Sequence, residues 1–173
     1  IPFDYDIHFL KHYRNLLESE LRDVMAHNLT RVLLERLVGE AILEKKDFCY
    51  ETNFNSTPLY WPKIFKAAGF KIELIYFCLN SVDEAKKRVA IRVENGGHFV
   101  PINEIESRFV LGYENLNTHY NFFDQVHLFN TSNFNAPPEH VVSIANRQVI
   151  LQSEIPQFLE ALIPDIYALC ESN

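Results

Sequence analysis

Three arginines and a histidine in the middle of the sequence have the residue types and the spacing that suit binding of a phosphate-like anion. Arg88 and Arg92 are four residues apart in a segment of helical periodicity, so their side chains share one face. The turn Gly96-Gly97-His98 follows, and reversal of the chain there would bring Arg108 toward the same space. Guanidinium groups contact phosphate oxygens in a bidentate manner and neutralise charge during phosphoryl transfer.

An ordinary structural role is the alternative for each of these residues. Arginines four apart on a helix commonly face solvent or pair with carboxylates, and Glu84, Glu94 and Glu104 are nearby in the sequence. A histidine after two glycines, such as His98, is equally typical of a turn. Spacing alone leaves both interpretations open.

A second polar group follows the apolar run Phe48-Cys49-Tyr50, which predicts a short buried strand. That run ends in Glu51-Thr52-Asn53. A carboxylate at the end of a strand can hold Mg²⁺ or bind a substrate hydroxyl, and it can equally be an ordinary strand-terminal residue.

The first twelve residues contain two further pairs. Asp4 and Asp6 are possible bases that accept a hydroxyl proton, although Asp6 is also placed to cap a helix. His8 and His12 would share a helix face, but no Cys or Glu stands in metal-site spacing with them, and no metal site is predicted.

Helical and strand-like segments alternate along the chain. The predicted helices cover about 7–26, 29–45, 58–68, 103–117 and 156–168, with another from a Ser81–Glu84 capping box to residue 93. The predicted strands cover 48–50, 71–79, 126–129 and one or two segments in 141–151. This alternation predicts an α/β domain with a mainly parallel sheet, and ligands bind such sheets at the carboxyl ends of the strands.

Length and composition restrict the class of protein. The 173 residues suit one domain, and the net charge of −7 argues against nucleic acid or an acidic membrane as a partner. No apolar run is long enough to span a membrane, and the three scattered cysteines do not form a disulfide framework. A cytoplasmic location is expected.

From Glu51 onward the sequence resembles the zeta-toxin family and its relatives described as predicted ABC-type ATPases. The most specific motifs lie between residues 88 and 108, and others flank them in the family's order. The matching residues are Glu51-Thr52-Asn53, Ala68-Gly69-Phe70, Arg88-Val89-Ala90-Ile91-Arg92-Val93, Gly96-Gly97-His98-Phe99-Val100-Pro101, Ile105 with Arg108-Phe109, and Asn115-Leu116.

The resemblance implies a three-layer, adenylate-kinase-like P-loop NTPase fold over residues 1–173, with a lid-like segment at about 84–110. It also implies transfer of the γ-phosphoryl group of ATP, with Mg²⁺, to a hydroxyl of a small molecule. In characterised zeta toxins the acceptor is UDP-N-acetylglucosamine. An antitoxin protein is the partner that membership would suggest.

The resemblance also assigns roles to individual residues. Arg92 and Arg108 look like the lid arginines that clasp the ATP phosphates, with Arg88 as a supporting charge and His98 shaping the turn. Glu51-Thr52-Asn53 looks like a substrate-binding segment, and Asp6 looks like the catalytic base, with Asp4 as a competitor.

Three features depart from the family pattern. The sequence contains no Gly-x-x-x-x-Gly-Lys-Ser/Thr loop, which would hold the ATP phosphates. Leu111 replaces a frequent second arginine, and Asn130-Thr131-Ser132 replaces Asp-Asn-Ser. We therefore expect a first strand and P-loop upstream of Ile1 in the native protein. The alternative is a non-catalytic relative that binds a nucleotide or a protein.

Overall fold

The computed structural model describes residues 18–172, with side chains from residue 28 onward, and divides the chain into two compact units, Ile1–Tyr50 and Glu51–Asn173. The described part of the first unit is helix α1, Glu18–Glu44. Two helices were predicted there, but the backbone stays helical through residues 26–29, where no Pro or Gly interrupts it. Helix α1 ends where Lys45 adopts a φ of 55°. Among the described residues, no helix has the length and apolarity that crossing a bilayer requires.

The second unit is built on an open sheet of four strands, in the order β1-β2-β3-β4. The strands are β1 (Glu73–Cys78), β2 (Gln125–Asn130), β3 (Glu139–Ala145) and β4 (Gln148–Gln152). Strands β1 and β2 pair in parallel, whereas β2–β3 and β3–β4 are antiparallel. The prediction of a mixed α/β domain is confirmed, but the described sheet is mostly antiparallel rather than mainly parallel.

The short connections after β2 explain the antiparallel pairing. Parallel neighbours need a crossover of a dozen or more residues, usually helical, whereas antiparallel neighbours need only a tight turn. Strands β3 and β4 are joined by Asn146 and Arg147, which have φ values of 51° and 64°. Two consecutive residues with positive φ are typical of a type I′ hairpin turn.

Helices of the second unit flank this sheet. They are α2 (Tyr60–Ala67), α3 (Val82–Glu94), α4 (Ile102–His119), α5 (Phe158–Leu162) and α6 (Pro164–Glu171), with a 3₁₀ turn at Tyr120–Phe122. The predicted cap of α3 is confirmed, because Ser81 Oγ accepts a hydrogen bond from the Glu84 amide at 3.2 Å. The single helix predicted at 156–168 is two helices, since Pro164 cannot donate a backbone hydrogen bond and starts a new helix.

The strand predicted at residues 48–50 does not form. Residues 46–55 have no strand or helix assignment, and Cys49 is exposed. A strand exists only through hydrogen bonds to a neighbouring strand, and an apolar run of three residues does not by itself specify such a partner. Glu51-Thr52-Asn53 therefore lies in an irregular segment rather than at a strand end.

The core lies on one face of the sheet. Its most buried side chains come from the strands and from helices α4 to α6: Leu116, Val126, Leu128, Val141, Val142, Leu159, Ile163 and Ile166. Strand β1 alternates, with Ile75 and Phe77 more than half exposed on the opposite face. This second face of β1 is therefore largely exposed among the described residues.

Candidate anion-binding cleft

A cleft of about 220 Å³ lies beside helices α3 and α4 and the irregular segment that contains Asn53. Its polar lining consists of Asn53, Arg92 and Arg108. The rest of the lining is apolar: Ala85, Val89, Val100, Ile105 and Phe109. The structure thus brings together two of the predicted arginines and one residue of the predicted substrate segment.

The glycine turn after α3 determines where the Arg92 side chain can lie. Gly96 has a φ of +84°, and the Gly97 amide donates to the Arg92 carbonyl at 2.8 Å. A Cβ atom on Gly97 would lie 2.5 Å from Arg92 Cγ, so only glycine leaves room for this side chain. Arg92 Nη2 donates to the His98 carbonyl at 3.2 Å.

The two arginines differ in their carboxylate contacts. Arg108 Nη2 lies 2.6 Å from Glu104 Oε2, one helical turn earlier on α4. Arg92 has no carboxylate within ion-pair distance among the residues whose side chains are described. The cleft therefore presents one unneutralised guanidinium and one that is already paired, which favours a ligand with negative charge.

Helix α4 holds the segment 51–55 through one face. Arg108, Gly112 and Asn115 follow one another at helical spacing along that face. A Cβ atom on Gly112 would lie 3.6 Å from the Asn53 carbonyl oxygen and 2.8 Å from Tyr76 Oη, so glycine permits close approach here. Asn115 Nδ2 donates to the carbonyls of Phe54, at 3.0 Å, and of Asn55.

The remaining residues with predicted roles lie elsewhere. The guanidinium of Arg88 donates to the Thr131 carbonyl, lies 3.4 Å from Glu84 Oε1 and stacks 5.5 Å from the centroid of the Phe134 ring. These contacts tie the segment after β2 to α3. Arg88 does not line the cleft, and its predicted role with ATP stays a prediction.

Neither His98 nor the first two residues of the substrate segment line the cleft. His98 is exposed and contacts Arg92 through its backbone carbonyl. Glu51 is exposed, and Thr52 Oγ1 accepts a hydrogen bond from the Phe54 amide at 3.1 Å. Asp6, like Asp4, His8 and His12, lies outside the described residues.

Asn115 lies near the cleft and belongs to the motifs that match the family, but the sequence assigned it no role. It stands seven residues after Arg108, which places both on one face of a helix, so periodicity within the predicted helix 103–117 was the available signal. What the sequence does not contain is the identity of the segment that this face meets.

Two other groups with potentially reactive side chains are chemically quiet. Burial raises the pKa of the Cys78 thiol to about 12, so it stays protonated near neutral pH. Burial also raises the pKa of Tyr113, whose hydroxyl is engaged with both the amide and the carbonyl of Leu79 at 2.7 Å. The described residues include no group of three or more His, Cys, Asp or Glu side chains that could hold a metal ion.

A second polar cluster, which we call the His–Ser array, lies on the sheet face opposite the core. Ser143 Oγ is 2.8 Å from His127 Nδ1 and 2.9 Å from His140 Nε2. His140 Nδ1 is in turn 3.2 Å from Ser153 Oγ. Although a serine beside histidines resembles a nucleophile beside a base, Ser143 is only 4% exposed, so a substrate cannot reach it.

The chain matches no known protein-family model, and comparison with curated proteins and with solved structures gives no match either.

Proposed function

We propose that the protein is an ATP-dependent small-molecule kinase resembling the zeta toxins, with the cleft beside α3 and α4 as its phosphate-binding site. The observation that carries this proposal is that Arg92 and Arg108, which stand on successive helices, line one cleft. Two guanidinium groups at one site suit the charge of a polyphosphate and the charge that develops in phosphoryl transfer. The P-loop fold of the family is part of the proposal, and the parallel pair β1–β2 with its helical crossover is compatible with it.

The polar residues of the cleft have different roles in binding. Arg92, which has no carboxylate neighbour among the described side chains, binds the anion first, and Arg108 adds a second contact when Glu104 is displaced. Asn53 contributes an amide to the ligand beside the arginines. The proposed acceptor is a hydroxyl of a small molecule such as a nucleotide sugar, with Asp6 as base.

The lining of the cleft does not suit Mg²⁺. A magnesium ion prefers carboxylate, phosphate and water oxygens, whereas two of the polar residues here are cations. Glu104, the carboxylate one helical turn before Arg108 on α4, is already paired with Arg108.

A non-catalytic nucleotide-binding relative is the second candidate. It is favoured by two departures from the family pattern, Leu111 in place of a second arginine and Asn130 in place of an aspartate. Both candidates predict binding of polyphosphate in the cleft, and only the kinase predicts turnover.

Calorimetric titration with pyrophosphate tests the site, and phosphorus NMR tests the reaction. We expect wild-type protein to bind pyrophosphate, and Arg92→Ala or Arg108→Ala to weaken binding at least about tenfold. Lys87→Ala is the matched control, because it removes a positive charge from α3 at a side chain that is 72% exposed and outside the cleft lining. Equal losses in all three variants would show a diffuse charge effect and contradict the site.

The reaction is followed in protein expressed from its native start codon, with Mg-ATP and UDP-N-acetylglucosamine. A sugar-phosphate resonance that grows together with ADP would establish the kinase. Binding without turnover across a panel of hydroxyl compounds would favour the non-catalytic candidate, and failure to bind either pyrophosphate or ATP would overturn both.

A further inference from the structure

The segment that brings Asn53 to the cleft contains a strained residue. Phe54 has a φ of 51°, a region that a bulky aromatic residue rarely adopts. Its ring is buried and packs against Tyr76 and Phe123, with centroid separations of 6.2 and 5.9 Å. Such a conformation persists only when surrounding contacts hold it, and strain of this kind is concentrated at binding and catalytic sites.

Two side chains hold the backbone on either side of this strained residue. Thr52 Oγ1 accepts the Phe54 amide at 3.1 Å, and Asn115 Nδ2 donates to the Phe54 carbonyl at 3.0 Å and to the Asn55 carbonyl. The amide of Asn115 therefore contacts two consecutive peptide units that follow Asn53. Relaxation of Phe54 to the extended region would rotate the peptide units next to Asn53.

The same face of α4 serves both the cleft and this segment. Arg108 reaches the cleft, and Gly112 and Asn115 follow it toward the carboxyl end of the helix, where the segment 51–55 rests. A single rigid helix thus fixes the distance between an anion-binding arginine and Asn53. Placement of a polar side chain on a rigid helix is more precise than placement on a free loop.

We infer that Asn115 is a positioning residue, which holds Phe54 in its strained conformation so that Asn53 faces the anion bound by Arg92 and Arg108. This inference rests on the proposed function of the cleft. It makes the affinity for a polyphosphate depend on a side chain that does not itself line the cleft.

A double-mutant cycle with pyrophosphate as the probe tests the inference. We expect Asn115→Ala and Asn53→Ala each to weaken binding about fivefold, and the double variant to bind no more weakly than Asn53→Ala alone. Thr52→Val, which removes the contact on the other side of Phe54, is expected to weaken binding in the same direction.

Asn117→Ala is the matched control on the same helix. Asn117 also makes two hydrogen bonds, to Asp165 on α6 at 2.9 and 3.0 Å, and it does not line the cleft. We expect Asn117→Ala and Asn115→Ala to lower the melting temperature to a similar extent, while only Asn115→Ala weakens binding. Unchanged affinity in Asn115→Ala, or losses that add in the double variant, would overturn the inference.

Binding by the wild-type protein separates failure of this inference from failure of the proposed function. If wild-type protein binds pyrophosphate and the cycle shows no coupling, the inference alone is wrong. If wild-type protein binds neither pyrophosphate nor ATP, the proposed function fails, and the inference, which rests on it, falls too. Whether Asn115 holds Phe54 in place is tested separately by hydrogen exchange, because Asn115→Ala should reduce protection of the Phe54 amide and Asn117→Ala should not. Equal protection of that amide in both variants would show that Asn115 does not hold it.

Discussion

The cleft and the His–Ser array are both groups of polar side chains, yet they differ in where their hydrogen bonds go. In the array, Ser143 is buried and its hydroxyl contacts two imidazoles. In the cleft, Arg92 is exposed and its described contact is one long hydrogen bond to a backbone carbonyl. Polar groups that satisfy one another stabilise the fold, whereas groups with unused donors are available to a ligand.

The largest effect is expected from Ser143→Ala. The substitution leaves the facing nitrogens of His127 and His140 without their shared partner, and we expect the free energy of unfolding to fall by about 2 kcal/mol. Ser153→Ala, at an exposed position of the same array, should change it by less than about 0.5 kcal/mol. Urea denaturation measures both, and equal losses would show that the array is not a stabilising unit. Pyrophosphate affinity should not change in either variant.

The next effect compares two arginines on one helix. Arg92→Ala should weaken pyrophosphate binding about tenfold and leave stability nearly unchanged, because its guanidinium makes one hydrogen bond among the described residues. Arg88→Ala should do the reverse and lower the free energy of unfolding by about 1 kcal/mol, since it ties Thr131 and Phe134 to α3. Calorimetry and urea denaturation of both variants decide the matter. Loss of binding in Arg88→Ala alone would place the anion elsewhere.

A smaller effect concerns the carboxylate that already contacts Arg108. Glu104→Gln frees that guanidinium, so we expect pyrophosphate to bind about two- to threefold more tightly. Glu106→Gln is the control, because this substitution removes the same charge from α4. Glu106 pairs with Lys86 at 2.7 Å and does not line the cleft. If both variants gain equally, net charge rather than competition for Arg108 explains the result.

The smallest effect on stability is expected at Asp124. This carboxylate is charged, but its hydrogen bonds go to groups of the protein, as those of the His–Ser array do. The Ile72 amide at 2.7 Å, and then Lys66 at 3.2 Å, hold the pKa of this carboxyl below its usual value. Because the folded-state pKa is the lower one, the stabilisation is present above about pH 5 and is lost as the pH falls through that pKa. The free energies of unfolding of wild-type protein and Asp124→Asn should therefore differ by less than about 0.5 kcal/mol near neutrality and converge as the pH falls through the lowered pKa. A difference that is constant between pH 7 and pH 3 would contradict this assignment.

Local signals in the sequence predicted the local features of the site. The capping box before α3 and the glycine turn after it specify the helix that carries Arg92, since both act within a few residues. Helical periodicity likewise predicted α4 and so the approximate place of Arg108.

Features that depend on distant contacts were not predictable in this way. The turn at Asn146 and Arg147 lacks the glycine that usually marks such hairpins, so the antiparallel pairing of β3 and β4 had no clear signal. The strained Phe54 is held by a side chain 61 residues away, and no local pattern specifies that contact. The strand predicted before Glu51 was wrong, because an apolar run cannot reveal whether a neighbouring strand exists to pair with it.

The parallel pairing of β1 with β2 also has a consequence for the order in which the protein acquires its structure. Strands β2, β3 and β4 follow one another through short connections, and hairpins of this kind form within microseconds. The contact between Ile72 and Asp124 that opens the β1–β2 pair closes a loop of 52 residues, which includes both α3 and α4. Closing this long loop costs more chain entropy than forming the hairpins, and its contacts form only after that cost. The cleft should therefore be the last part of this unit to assemble and the first to open.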